Sequence, residues 1–184
     1  MRNFVDTFFI PIILFLMILF TLPIFYVFNY SQPVTLSSDN TVAYELPYPG
    51  ILPDHPLYFV KALRDKLQDF FTRDNVKKAE LYLLYSDKRL AMAEALAKKG
   101  KNDLSVTTLS KGEKYFLKIP DLLKNAKEQG SAATPEFVSR VRLSNQKHKE
   151  LIGELIQEFP QGEQQTFDPI LKMDDAITQK LQGL

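Results

Sequence analysis

The sequence predicts an all-α fold: an up-and-down bundle of four to five helices behind one N-terminal transmembrane helix and a proline-rich strap. Three observations predict it. Residues Phe8 to Phe28 form a run of 21 without a charged side chain. Residues Leu46 to Tyr58 read L-P-Y-P-G-I-L-P-D-H-P-L-Y, with four prolines and a glycine, too interrupted for a helix or a central strand. After residue 50 apolar residues recur at spacings of three and four, and no strand alternation of any length appears. The chain therefore divides into a membrane anchor (1–30), a flexible tether (31–45) and a helical bundle domain (46–184) that includes the strap (46–58).

The apolar run matches a bilayer. At ~1.5 Å per residue its helix is about 31 Å long, the thickness of the hydrocarbon core. A cleaved signal peptide has a shorter apolar region and a small-residue cleavage site, whereas this run ends in the bulky Tyr26-Val27-Phe28-Asn29-Tyr30. Pro11 falls in the first turn, and Pro23 kinks the interior as membrane helices tolerate. Arg2 precedes the run, and no Lys or Arg follows it until Lys61. Basic residues favour the cytoplasmic side, so the expectation is a single-pass protein of the cell membrane with residues 29–184 extracytoplasmic. The polar stretch Asn29 to Glu45 reads as a tether.

The strap carries more apolar surface than a linker needs: Leu46, Tyr48, Ile51, Leu52, Leu57 and Tyr58. It reads as a stiff extended segment laid on the helices. Asp54 or His55 is the expected cap of the first helix, with Pro56 at its first position. Leu57, Val60, Leu63, Leu67, Phe70 and Phe71 give that helix one apolar stripe, with Lys61, Arg64, Asp65, Lys66 and Asp69 opposite. Asp74 caps a second helix running to Lys99 and closed by Gly100, with a seam of Val76, Ala79, Leu83, Leu90, Ala93 and Ala97. Asn102 or Asp103 caps the third, whose apolar positions are Leu104, Val106, Leu109, Tyr115, Phe116 and Ile119. Gly112 reads as a weak spot inside it. Pro120 has no N–H for the Phe116 carbonyl and breaks it there, with a further segment to Gln129 ended by Gly130. Thr134-Pro135-Glu136 is a helix start, and Pro160 and Gly162 close that helix. A final helix follows a turn at 163–168, with Asp168 as cap and Pro169 in its first turn. These stripes read as core.

Composition excludes several functions. The formal charge is +1, so no global field draws the chain to nucleic acid. Without cysteine there are no disulfides, thiolate nucleophiles or Cys-based metal sites. His55 and His148 are the only histidines; joined by Asp54 or Glu150 they are weak metal candidates, and no cofactor is expected. The basic clusters around Lys98, Lys111 and Arg140 read as solvated helix faces. No Gly-x-Ser-x-Gly, phosphate loop or Ser-x-x-Lys is present, and acids such as Glu94 and Glu113 read as helix surface, so no enzyme is expected. Tyr48, Ile51, Leu52 and Tyr58 are the interaction candidates, because an extended proline-rich segment is a common recognition element.

The strap with L-Y-F-V-K-A-L-R-D-K after it, D-N-V-K-K-A-E-L-Y-L-L-Y-S-D-K-R-L at 74–90 and N-Q-K-H-K-E-L-I-G-E-L-I-Q-E-F-P at 145–160 resemble an uncharacterised bacterial domain family. That family carries a Pro-Gly-x-x-Pro-x-x-Pro-Leu-Tyr strap before a helical domain, usually behind a signal or membrane anchor. The resemblance spans about residues 44–182, with Pro120 a departure. It implies a fold and an envelope location and brings no site residues. The expected role is an extracytoplasmic interaction module that binds the cell membrane and an envelope protein. A ligand- or metal-sensing domain is the alternative, and an enzyme acting on cell-wall polymer ranks third.

Overall fold

The computed structural model describes residues 42–184. Six α-helices follow the strap: α1 (Tyr58–Phe71), α2 (Asn75–Ala97), α3 (Asn102–Phe116), α4 (Ile119–Glu128), α5 (Pro135–Glu158) and α6 (Asp168–Gln182), with a 3-10 turn at Gln164–Phe167. Among the described residues there is no strand. Counting α3 and α4 as one helix broken at Leu117-Lys118 gives five. Among the described residues no helix is long and apolar enough to cross a membrane. The expected membrane helix at Phe8 to Phe28 lies outside the described residues, as does most of the expected tether.

Most boundaries fall where the local chemistry puts them. Asp74 accepts from the Lys77 amide at 2.8 Å, and Thr134 Oγ1 accepts from the Phe137 amide at 3.3 Å; both satisfy amides that a helix start leaves free. Gly100 takes a left-handed φ of 68°, which lets the Lys101 amide reach back to Leu96 O at 2.9 Å and close α2. Pro120 sits in the first turn of α4, and α3 ends at Phe116, the residue whose carbonyl the proline leaves without its usual donor. Three expected caps are corrected. Asn102 and Asp168 are the first helical residues rather than caps. Helix α1 starts at Tyr58 behind Leu57, not at Pro56; Asp54 pairs with Lys101 at 2.9 Å instead, and the His55 ring accepts from the Leu57 amide at 3.1 Å.

Helix α2 is the centre of the domain and packs on α3, α4 and α5, while α6 closes against α3, α4 and α5. Close approach of α2 and α3 depends on small residues. Ser105 Oγ donates to Ala93 O at 2.7 Å. A Cβ at Gly112 would stand 3.1 Å from Arg89 Cβ and 3.3 Å from Ser86 O. Gly112 is therefore a contact point between the two helices rather than a weak spot.

The core has two apolar clusters. One joins Leu83, Phe116, Ile119, Leu123, Val141 and Ile177. The other joins Leu90, Leu109, Leu155, Phe159, Phe167 and Ile170. The positions that fall between them along the helices are polar yet buried: Ser86 and Asp87 on α2, Glu113 on α3, Ser144 and His148 on α5, and Asp174 on α6. The expectation that Glu113 lies on the helix surface is wrong: its side chain is fully enclosed.

Candidate functional site

Helix α1 lies on the bundle with its polar side inward. Successive side chains in a helix are 100° apart, so Tyr58, Ala62, Asp65 and Asp69 share one side, and Phe59, Leu63, Leu67 and Phe70 the other. The first side meets α2. Tyr82 Oη donates to Asp69 Oδ1 at 2.8 Å, and Tyr85 Oη donates to Asp65 O at 3.0 Å. Lys78 pairs with Asp69 at 3.2 Å. Asp65 is buried, 5% exposed, and is the one buried residue of α1. The apolar stripe expected in the core faces solvent instead: Phe59 is 68% exposed, Phe70 71% and Phe71 74%, with Val60, Leu63 and Leu67 each at half or more. The physical reason is on α2, whose Tyr82 and Tyr85 hydroxyls and Lys78 ammonium need acceptors, and the Asp65–Asp69 side supplies them.

Between α1 and α2 a cavity of about 30 Å³ is lined by Tyr58, Lys61, Asp65, Tyr85, Arg89 and Met92. Burial pushes the Lys61 ammonium down to about 8, with Asp65 opposing. Lys61 Nζ donates to Pro49 O at 3.0 Å and ties the strap to α1. The Arg89 guanidinium lies 4.5 Å from the Tyr115 ring centre, a desolvated cation–π contact.

The four strap candidates do not form one surface. Ile51 and Leu52 line an open cleft of about 340 Å³ with Asp54, His55, Pro56 and Lys99. Tyr58 belongs to the small cavity under α1, and Tyr48 is exposed. Contact with the bundle begins before the strap proper. The Val42 amide donates to Glu150 Oε2 at 2.9 Å, and Tyr44 Oη donates to Asp87 Oδ2 at 2.6 Å.

Tyr44 thereby reaches the polar layer. There His148 Nδ1 lies 2.6 Å from Glu113 Oε1 and Nε2 lies 3.1 Å from Asp87 Oδ1, while Ser144 Oγ donates to Asp87 Oδ1 at 2.6 Å. Burial alone would push the imidazole down, but the Glu113 and Asp87 carboxylates outweigh it and raise its pKa. Burial, with the Asp87 charge, raises the Tyr44 phenol. Burial also raises Asp174, against the opposing Lys149, with Glu113 adding to the shift. His55 is exposed on the strap, so the structure does not bring the two histidines together. Both ring nitrogens of His148 already face carboxylates, and among the described residues no group of three or more His, Asp or Glu is arranged to hold a metal. Ser144 hydrogen-bonds Asp87 rather than His148, so the hydroxyl and the imidazole are not paired; the bonds tie α2, α3 and α5 to one another and to Tyr44.

Sequence reasoning missed the layer, yet a signal was there. The seam of α2 skips from Leu83 to Leu90, the stripe of α3 from Leu109 to Tyr115, and that of α5 from Val141 to Leu151. Each skipped turn holds buried polar residues.

The family model described as "Domain of unknown function (DUF5667)" matches residues 50–162, from the strap through the end of α5. No curated protein and no solved structure gives a match.

Proposed function

The chain belongs to the DUF5667 family, and from that premise we propose that it is a single-pass, membrane-anchored interaction module of the bacterial cell envelope. In this reading Phe8 to Phe28 spans the membrane with the N-terminus in the cytoplasm. The up-and-down helical domain stands outside and docks a partner instead of doing chemistry. One observation carries the proposal: α1 holds its polar side against α2 and leaves Phe59, Leu63, Leu67, Phe70 and Phe71 uncovered. A monomer seldom exposes so continuous an apolar face unless something covers it. In this reading the docking surface is α1 rather than the strap.

The test is site-specific photocrosslinking of the full-length protein in its own cells. A crosslinker at Leu63 or Phe70 gives adducts, and one at the exposed Lys111 of α3 does not. Equal labelling at all three positions, or a domain sheltered in the cytosol by protease-protection assay, overturns the proposal.

The cleft formed by Ile51, Leu52, Asp54, His55 and Lys99 supports a second reading, a sensor of a small ligand, since about 340 Å³ falls within the range of small-molecule sites. Calorimetry of the full-length chain with divalent metals and small anions tests it. Heat abolished by His55→Ala or Lys99→Ala supports it, and no heat removes it.

A further inference from the structure

We propose that the occupant of the α1 face is a lipid bilayer carrying anionic headgroups, so that α1 lies in the membrane interface and holds the domain down on the surface to which the chain is anchored. The proposal rests on the anchored reading above and names the partner of the same face.

The arrangement of charge on α1 selects this occupant. On the helical wheel the apolar arc Phe59, Val60, Leu63, Leu67, Phe70 and Phe71 is about 120° wide. Arg64 borders it on one side and Lys66 on the other. The two acids of the helix are both turned away. Asp65 is buried and bonded to Arg64 at 2.7 Å, and Asp69 is held by Tyr82 and Lys78. Arg64 remains 44% exposed despite its bond, and Lys66 is exposed. Beyond the end of α1, Arg73 is exposed and the next acid, Asp74, caps α2. An uncovered arc of Phe and Leu with cationic borders and inward acids is the pattern of a helix lying in the headgroup region. It is also complementary to a negatively charged leaflet.

The same borders count against a second copy of the chain. Two α1 faces pressed together would bring Arg64 and Lys66 of one copy against those of the other, with both acids already engaged on the far side of each helix. Like charges at the rim of a helix pair weaken it. Against an unrelated protein stands the length of the tether. Thirteen residues, 29–41, separate the apolar run from Val42, which the Glu150 side chain holds on the bundle. They reach at most about 45 Å when extended and about 20 Å as a coil. An anchored chain therefore keeps Val42 within about 45 Å of a bilayer, which raises the effective concentration of a membrane surface over that of a free protein.

The experiment exploits the absence of cysteine, since a single introduced thiol is unique. Full-length Phe70→Cys, Leu67→Cys and, as control, Glu154→Cys on the exposed side of α5 are labelled with an environment-sensitive fluorophore. Each is reconstituted into vesicles of phosphatidylcholine alone or with phosphatidylglycerol, with and without a lipid bearing a shallow nitroxide quencher. Circular dichroism verifies helix content for each variant. In anionic vesicles the labels at 67 and 70 shift to the blue and lose most of their emission to the quencher, while the label at 154 stays in water. Arg64→Glu with Lys66→Glu, or high salt, reverses the quenching. Carbonate extraction of the same vesicles reads the anchor separately. A chain that is retained while its α1 labels stay in water overturns the bilayer inference and leaves the anchored reading standing. A chain that is stripped off overturns the anchored reading, and the inference with it. Labels shielded equally in both lipids and insensitive to the quencher identify a protein occupant, a second copy or another chain, and overturn the inference as well.

Discussion

His148 Nδ1 lies 2.6 Å from Glu113 Oε1, and neither side chain has any exposed surface. With Asp87 on the other ring nitrogen, the imidazolium joins α2, α3 and α5 through one charged centre. Tyr44 adds the strap through Asp87. A buried ion pair gives little net stability over an apolar replacement, but removal of one partner strands the other charge. Glu113→Ala or His148→Ala is expected to cost about 3–5 kcal/mol. Urea unfolding followed by helix content measures it; a loss below about 1 kcal/mol, the range of a surface pair, would mean that the layer is not electrostatically coupled.

The same centre fixes a pH dependence. The folded His148 pKa is raised from 6.5 to about 10. Its contribution is fully present below pH 6.5 and is lost as pH rises through about 10. Lys61 acts in the opposite sense: its folded pKa is lowered from 10.5 to about 8, so it returns stability across that interval. The raised Tyr44 phenol adds a loss above its ordinary value of 10.0. The unfolding midpoint should fall between pH 6.5 and about 8, level off up to about 10 where Lys61 offsets His148, and fall again above that through Tyr44. His148→Phe should lack the fall between 6.5 and about 8. An identical slope in the variant would remove His148 as its source.

Two glycines give a matched pair. Gly112 and Gly153 are both helical, and alanine is intrinsically better in a helix by up to about 1 kcal/mol. At Gly112 the new methyl meets Arg89 Cβ and Ser86 O at 3.1 and 3.3 Å, so α2 must give by a few tenths of an ångström there. Overpacking of this kind costs about 1–3 kcal/mol. At Gly153 nothing lies within 4 Å. Gly112→Ala should destabilise and Gly153→Ala should stabilise; equal shifts in the unfolding midpoint would contradict the close approach.

How much of this was legible in the sequence depends on what each pattern encodes. Asp74, Thr134-Pro135 and Gly100 announce helix ends because their chemistry is local, and Pro120 breaks α3 where its missing donor requires. The apolar clusters follow from spacing. The polar layer showed only as gaps, because Ser86, Glu113 and His148 look like surface until three gaps are aligned in space. The orientation of α1 was not legible at all. An amphipathic stripe gives two faces and does not say which one meets the neighbour; Tyr82 and Tyr85 on another helix decide it.

Tyr44→Phe isolates the strap. It removes the donor to Asp87 Oδ2 and leaves a buried carboxylate oxygen short of a partner, at a cost of about 1–3 kcal/mol. The Val42 contact with Glu150 is next to it and should loosen with it. Limited proteolysis of the full-length chain is expected to cut near residues 42–46 sooner in the variant than in the parent. Unchanged cleavage there, with unchanged unfolding, would show that the strap is held by its later contacts, such as Asp54 with Lys99 and Lys101.

The mode of attachment of α1 sets its dynamics. It contributes one buried residue, the acid Asp65, and so little apolar burial joins it to the bundle. Its hold consists of hydroxyl donors from Tyr82 and Tyr85, the Lys78–Asp69 pair and the Lys61 bond to the strap. Each such bond is worth about 0.5–1.5 kcal/mol net, far less than a packed helix face. Segments with few buried apolar contacts open without global unfolding. Backbone amides of residues 62–71 should therefore exchange with solvent faster than those of α2 at Leu83 to Leu96. The double variant Tyr82→Phe, Tyr85→Phe should speed exchange in α1 further while α2 keeps most of its protection. Exchange of α1 in step with α2, in both parent and variant, would mean that α1 is an integral layer of the bundle and that its apolar face is fixed in place rather than carried on a detachable helix.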